Sequence, residues 1–578
     1  MRKLTVSDYL VEFLIANNVT DVFGYQGGMI AYIFDSLGKY KEKINYHSCA
    51  TEQGAALAAC AFAQSSGTIG VAISTSGPGF TNMITGIADA WFDSVPVLFI
   101  SGNVNTKDKK RDMPIRQLGF QEIQAAKIAE PITKKVFQLE LDSDFKKCFE
   151  NAYLIAMTDR KGPVYIDLPI NVCREYISFE EIRKIEIHSD NIGALDISSI
   201  YREIKNAKKP VIIAGAGIKQ ANCKEKFRLL VEQLKIPVVS TLPAIDILPS
   251  DSQYMMGYIG GTARREAGIV LQNADFVLAL GTRLCSKQIG HNLELFAPKA
   301  CKFIRIDIDE GEFCRKLKDI EIDIQGNVSF IISELLSLAQ VDQDNDRNNE
   351  WNNNCYNVHS LLENEDITYG NRFFQIVSDL FPDDANVVFD VGKNMTYGGQ
   401  SVIIKRDTKT YMSAGLGTMG YSLPASIGAY LGNKKPTFAF TGDGGAQMNI
   451  QELNTIVRNK LPIKIFVLNN RALGNIRIFQ EQYLDSRFVA TSEEEGDYFS
   501  CKFSDIAKAY GMESIVINNI YEFDKYKEKL VDSKPVLFEL IYDDCPVLPG
   551  IVAGGDFLSE NSGLQIDIIK KIREYMKK

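Results

Sequence analysis

Within residues 437–449 an apolar run, Phe438-Ala439-Phe440, meets three glycines set around one carboxylate, Gly442-Asp443-Gly444-Gly445. The run predicts a short buried strand. Beyond the glycines, Ile450, Leu453, Ile456 and Val457 recur at helical spacing and predict a helix. A second apolar run over 463–468 ends in Asn469-Asn470-Arg471-Ala472-Leu473-Gly474. One helix between two strand ends is a parallel crossover, which sets Asp443 and Asn470 on the same edge of a parallel sheet, where such folds bind ligands. Glycines at a strand-to-helix turn present backbone N–H groups to phosphate, and the helix dipole favours the negative charge. Asp443 adds a hard oxygen ligand. A carboxylate beside phosphates suits Mg²⁺, which takes few protein ligands and shares the phosphate oxygens. Taken alone, Gly-Asp-Gly is as readily a surface turn. The flanking strands and the Asn-Asn pair favour the phosphate and metal reading.

The same strand, glycine turn and helix recur along the chain. In residues 1–175 the strands are Val22-Phe23-Gly24, leading to Gly27-Gly28, then Val71-Ala72-Ile73-Ser74-Thr75, which breaks at Ser76-Gly77-Pro78-Gly79, and further runs at 95–100 and 163–168. Residues of roughly 175 to 197 are charged and irregular and read as a linker. A second unit, 195–340, opens at Pro210-Val211-Ile212-Ile213-Ala214-Gly215-Ala216-Gly217. Its Gly-Ala-Gly is a fragment of a dinucleotide fingerprint that lacks the third glycine, so a plain strand–helix turn is the favoured reading. Residues 340–357 are crowded with Asp and Asn and read as a second linker. The third unit, 360–560, holds the opening motif. Strands alternating with helices throughout predict an α/β chain of three doubly wound parallel-sheet domains. A length of 578 residues agrees, at ~150 residues per unit.

Composition excludes several classes. A net charge of −9 without a long basic stretch argues against nucleic acid as a partner. No run of eighteen apolar residues predicts a membrane span, and the N-terminus lacks an apolar core of signal-peptide length. Eleven cysteines without a C-x-x-C pair fit a reducing cytoplasm and offer no zinc site. Four histidines make a His-based metal cluster improbable.

The stretch from Asp443 to Asn470 resembles the metal motif of thiamine diphosphate enzymes. By that resemblance Asp443, Asn470 and the carbonyl of Ala472 hold Mg²⁺, and Mg²⁺ holds the diphosphate, with Gly442, Gly444, Gly445, Leu473 and Gly474 around it. Such chemistry needs a carboxylate against the far edge of the aminopyrimidine ring. It favours the imino tautomer, whose imine removes the thiazolium proton. Glu52, in Thr51-Glu52-Gln53-Gly54 ahead of an alanine-rich helix, is the candidate. Alone it reads as an exposed glutamate favoured by the helix dipole; its place before Thr75-Ser76-Gly77-Pro78-Gly79 favours the catalytic reading. A bulky side chain must also support the bend of the cofactor. Met419 sits in Gly415-Leu416-Gly417-Thr418-Met419-Gly420, on a loop and not at helical spacing. Methionine is usually core filler, but the glycines argue for close approach to a ligand.

With these partners the chain resembles the large catalytic subunit of acetolactate synthase, or a near relative among thiamine diphosphate decarboxylases and carboligases, over nearly all its length. The motifs include Phe23-Gly24-Tyr25-Gln26-Gly27-Gly28, Ala88-Asp89-Ala90 with Asp93-Ser94-Val95-Pro96, Phe120-Gln121-Glu122, Ile132-Thr133-Lys134, Gly162-Pro163-Val164, and a tail from Val547-Leu548-Pro549 to Gly554-Gly555. The resemblance implies a pyrimidine-binding, a central and a diphosphate-binding domain. It implies active sites between subunits of a homodimer or homotetramer, with a small regulatory subunit as a further partner. It places Gly27, Gly28, Pro78, Lys393 and Asn394 beside the cofactor and Gln121 with Glu52 and Met419 in catalysis. Met29, Phe120, Lys134, Lys287 and Phe479 fall toward substrate. FAD without a redox role would meet Gly215, Gly217, Gly257 and Arg283.

The implied activity is decarboxylation of a 2-oxo acid, pyruvate first, and carboligation of the acyl anion to a carbonyl acceptor. The alternatives are transfer to a non-pyruvate aldehyde or ketone such as a keto-sugar, simple decarboxylation, and non-catalytic cofactor binding. Binding needs only the metal and phosphate residues, so Glu52 argues for catalysis. Five positions depart from the family pattern. Ser286-Lys287 stand where an Asp-Arg pair is usual, Phe479 for a tryptophan, Gln26 for a proline and Met29 for a small residue. Arginine grips a carboxylate with a two-toothed fork and lysine does not. The donor half is thus expected intact and the acceptor half altered.

Overall fold

The computed structural model describes residues 2–187, 196–342, 348–363, 365, 367–493, 496–543 and 563–577. Its frame is three six-stranded sheets, each wholly parallel. In space, the first runs Asn45–Ser48, Asp21–Gly24, Gly70–Ser74, Val97–Asn103, Val164–Pro169, Lys135–Gln138. The second runs Met255–Tyr258, Val238–Ser240, Pro210–Ala214, Phe276–Leu280, Lys302–Asp307, Glu321–Gln325. The third runs Lys409–Tyr411, Asn386–Phe389, Thr437–Gly442, Lys464–Asn469, Val536–Ile541, Glu513–Ile517. Helices cover both faces, so the central strands are apolar runs buried at every position, as in Gly70–Ser74 and Val97–Asn103.

Numbered along the chain within each sheet, the first and third share the order 2-1-3-4-6-5, whereas the middle one is 3-2-1-4-5-6. In the first and third sheets the chain therefore reverses direction between strands 1 and 3. A crevice opens there at the carboxyl ends of the strands. In the first sheet those ends lead into Tyr25–Gly28 and Thr75–Gly79. In the third they lead into Asp390–Lys393 and Asp443–Gly445. The recurrence of one pattern along the chain thus extends, between the first and third units, to strand order.

These two domains meet through equivalent helices. Glu52–Ser66 follows strand 2 of the first sheet, Ser422–Asn433 follows strand 2 of the third, and they pack along their length. Small side chains permit this: Ala55, Ala56, Ala58, Ala59, Ala61 and Ala63 line one helix, Ala425, Gly428 and Ala429 the other.

The boundaries differ from expectation in three places. Tyr176–Phe179 pairs antiparallel with Arg2–Thr5, so the first unit continues past 175. The segment expected as the second linker contains a helix, Asn349–Leu362. Its Trp351, Cys355, Val358 and Leu362 fall at helical spacing and enter the middle domain's core, a pattern hidden among asparagines. The third unit does not absorb the chain's end, because the helix Ile566–Lys577 returns to that same core through Ile568, Ile569, Ile572 and Met576. The tail motif at 547–555 and part of the first linker lie outside the described residues.

Candidate active site

The first domain gathers one group of the expected residues at its crevice. A Cβ on Gly27 would stand 2.5 Å from the Thr75 Cβ. Gly77, with φ +60°, lies under the Gln121 carbonyl, 3.0 Å from a Cβ built there, and Gln121 itself takes φ +64°. A Cβ on Gly79 would come within 3.3 Å of Glu52 Oε1. Pro78 opens the helix Pro78–Phe92, where its missing N–H leaves no bond unmade. Glu52 opens Glu52–Ser66 behind Thr51, whose hydroxyl accepts from the Gly54 N–H at 3.0 Å. The Glu52 carboxylate is half-buried and accepts from Asn82 Nδ2 at 3.0 Å. Gly28 faces open space, Met29 turns its carbonyl toward Gly102, and Phe120 is 80 % exposed.

The third domain gathers a second group. Asp443, the first residue of the helix Asp443–Met448, is buried, and the Tyr498 hydroxyl donates to its Oδ2 at 3.0 Å. Burial pushes its carboxyl up to about 6, against that hydrogen bond. A Cβ on Gly444 would stand 2.7 Å from Leu473 Cδ2 and 3.2 Å from the Met419 methyl. A Cβ on Gly474 would meet Lys393 Cε at 2.7 Å and Asn470 Nδ2 at 2.9 Å. Gly442 precedes this helix, and Gly445 fits against Asp390. Ala472 bridges to Ser492, which fixes the turn after Asn470. Of the two asparagines, Asn469 is bound into the sheet through Glu539, while Asn470 faces the Gly474 turn.

Asp390 was not singled out from sequence. It is fully buried, accepts from the Gly420 and Ser422 amides at 2.9 and 3.1 Å, and fastens the far end of the Met419 loop. Burial pushes it up to about 6. Glu452, Asp89 and Asp93, also given no role from sequence, bind across the interface of the two domains.

Both groups fit a diphosphate-bearing heterocycle. Thr75 Oγ1 and Ser76 Oγ at the first, and Asn394 Oδ1 at the second, are buried without a partner among the described residues. Gly444 and Gly474 line a cradle that any Cβ would crowd. The oxygen donors available near it, one carboxylate, one amide and one carbonyl, suit a cation that shares phosphate oxygens.

Lys134 and Lys287 are not brought to either group, whereas Phe479 lies on the helix that Gly474 opens. Lys134 lies at the amino end of its strand, the opposite sheet edge from Glu52 and Gly77, and donates to the Thr158 carbonyl at 2.8 Å. Lys287 is exposed on the short helix Ser286–Ile289. Phe479 is half-exposed beside Tyr483, at 4.9 Å between rings. Of the four residues expected near FAD, Gly215, Gly217 and Arg283 follow the carboxyl ends of the paired strands Pro210–Ala214 and Phe276–Leu280. The Gly215 and Gly217 amides donate to the carbonyls of Leu280 and Gly281 at 2.9 and 3.0 Å, so this turn serves strand–helix packing. Gly257 lines a separate cavity of about 480 Å³ with Met255, Arg264, Arg372 and Gly399. Arg283 lies near Asp93 of the first domain.

Two crevices of one topology, one bearing a helix-opening glutamate and the other an Asp–Asn pair in a glycine cradle, define a thiamine pyrophosphate enzyme. Three family models match in chain order: thiamine pyrophosphate enzyme, N-terminal TPP binding domain over residues 4–128, central domain over 197–335, and C-terminal TPP binding domain over 390–540. The chain is 33% identical over 567 residues to the acetolactate synthase large subunit of Lactococcus lactis subsp. lactis, covering 95% of this chain and 94% of that one. It is 32% identical over 599 residues to the probable acetolactate synthase large subunit of Methanocaldococcus jannaschii, covering 98% of each. It is 29% identical over 568 residues to the isozyme 2 large subunit of Escherichia coli, covering 96% and 100%. The chain belongs to the acetolactate synthase large-subunit family and carries that family's thiamine pyrophosphate-dependent 2-oxo acid chemistry. No described helix is long and apolar enough to cross a membrane.

Proposed function

We propose that the chain decarboxylates pyruvate and joins the acyl unit to a carbonyl acceptor, at a site completed by a second copy of the chain. The observation that carries this is Glu52, held at the first crevice beside Gly79 and Asn82. Cofactor and metal binding need no carboxylate there. When bound, thiamine diphosphate supplies a carbon acid that adds to the 2-oxo acid carbonyl and accepts the electron pair as CO₂ leaves. Glu52 would hold a proton at the aminopyrimidine nitrogen. Asp443, Asn470 and the Ala472 carbonyl would hold Mg²⁺. Met419 would support the bend between the rings, and Gln121 would face the substrate from above Gly77.

The two crevices of one chain lie in different domains. Each is surrounded by exposed apolar side chains: Tyr25, Met113, Leu118 and Phe120 at the first, Leu416, Met448, Ile476 and Phe479 at the third domain. Exposure on this scale suits a covering partner, which supports a homodimer or homotetramer. The relatives are named large subunits, so a small subunit is a further candidate partner. The ten described cysteines are free, which supports a reducing cytoplasm. FAD stays outside the proposal, since the Gly215 and Gly217 amides are already engaged.

Incubating the purified chain with pyruvate, thiamine diphosphate and Mg²⁺, and identifying products by NMR, tests the reading. Absence of CO₂ release would overturn it. A second reading, in which a bulkier carbonyl is the preferred acceptor, is favoured by Phe479, on the helix that leaves the Gly474 turn where the family pattern has a tryptophan. The same assay with added aldehydes and ketones decides between them.

A further inference from the structure

Each of the two terminal domains holds, by buried carboxylates, the loop on which the other presents its candidate catalytic residue. From the third domain, Glu452 is fully buried at the start of the helix Glu452–Arg458. Its Oε1 accepts from the Ala50 and Thr51 amides of the first domain at 3.0 and 3.2 Å. Those amides immediately precede Glu52. Gly54 must be glycine here, because a Cβ would stand 2.1 Å from that same oxygen. The Thr455 hydroxyl donates to Oε2 at 2.7 Å and holds the carboxylate in place.

From the first domain, Asp89 and Asp93 lie one turn apart near the end of the helix Pro78–Phe92. The Asp89 Oδ1 accepts from the Ser413 hydroxyl, and from the Thr418 hydroxyl at 3.3 Å. Ser413 Oγ in turn accepts from the Thr418 amide at 2.9 Å and closes the loop on itself. Asp93 accepts from the Ala414 and Gly415 amides at 2.9 and 2.8 Å. The next residue after Thr418 is Met419.

We infer that Glu452 is a positioning residue for Glu52, and that Asp89, Asp93 and Ser413 are positioning residues for Met419. The clamps are reciprocal, and both act within one chain. The inference rests on the thiamine reading for what Glu52 and Met419 do, but not for the clamps themselves. The helix Pro78–Phe92 carries Pro78 and Gly79 at one crevice and Asp89 and Asp93 on the other domain's loop. The two crevices of one chain are therefore joined by a single rigid element.

The test compares the full chain as Glu452→Gln, Ser413→Ala and Ser413→Thr, by amide hydrogen exchange with and without thiamine diphosphate and Mg²⁺. Glu452→Gln should speed exchange at 50–54 by about tenfold, the scale of one charge-assisted hydrogen bond, and leave 414–418 unchanged. Ser413→Ala should do the converse, and Ser413→Thr, which keeps the hydroxyl, should restore the slow rate. In the loaded enzyme each of the two should slow proton exchange at the thiazolium carbon by about tenfold while shifting cofactor affinity far less. Unchanged exchange at both loops, or an equal rise across all three sheets, would overturn the inference. Failure of the wild type to bind thiamine diphosphate would instead count against the thiamine reading, and the amide rates alone would then decide the clamps.

Discussion

Gly428 lies so close to Ala58 that a Cβ built on it would stand 1.9 Å from the Ala58 carbonyl oxygen. The helices of the first and third domains thus touch backbone to side-chain-free backbone. Gly428→Ala should lower unfolding stability by about 1–3 kcal/mol, the usual cost of overpacking. Denaturant melts measure it, and a wild-type midpoint would mean that the seam relaxes freely.

Glu52→Gln should fold and bind thiamine diphosphate but lose activity by about a hundredfold or more, the scale of a lost acid–base partner. Proton exchange at the thiazolium carbon, followed by NMR, is the direct measurement. Exchange as fast as in the wild type would remove Glu52 from the mechanism.

Asp443→Ala should abolish the Mg²⁺ dependence of cofactor binding, because the diphosphate loses its neutralising bridge. Titration calorimetry with and without Mg²⁺ checks this. Unchanged affinity would sink the metal assignment.

Burial pushes the Asp89 carboxyl above its ordinary range, and the charge of Asp93 pushes it further. Cys60, Tyr421 and, near Asp93, Arg283 also face this pair. A carboxyl raised in the folded state contributes stability that is present below its unfolded pKa of about 4 and is lost as pH rises through the folded value. Asp89→Asn removes that titration. The melting temperature of this variant, relative to wild type, should therefore climb as pH rises from about 4. A difference that is flat or falls with pH would contradict it.

Lys287→Arg combined with Phe479→Trp should raise acetolactate relative to other products from pyruvate. At a site completed by a second copy, the arginine fork would grip a carboxylate, and tryptophan would add bulk and a donor. Product ratios by NMR test it. A wild type that already makes acetolactate efficiently and rejects larger carbonyl acceptors would remove the reason for the change.

Asp443 and Asn470 could be read from sequence because one local crossover relates them. That the sheets are parallel and doubly wound could be anticipated from the alternation of strands and helices. Glu452 could not be read in the same way, since it sits between Gln451 and Leu453 like any helix-surface carboxylate and its partner Ala50 lies 402 positions away. The helix Asn349–Leu362 was obscured because asparagine is a poor helix former, and only the spacing of Trp351, Cys355 and Val358 betrays it. Likeness to a family carried Lys134 to the substrate side. The sheet decides otherwise, because a residue just before a strand lies at the edge away from the crevice.

The last helix, Ile566–Lys577, closes over Trp351, Cys355 and Val358 on the middle domain. During synthesis the middle sheet leaves the ribosome well before the third, yet the apolar side of the helix Asn349–Leu362 lacks this cover until Ile566–Lys577 emerges. The third domain is in effect threaded into the middle one. A fragment cut at the middle domain's sheet boundaries would lack its own lid, and deleting Ile566–Lys577 would loosen the middle domain.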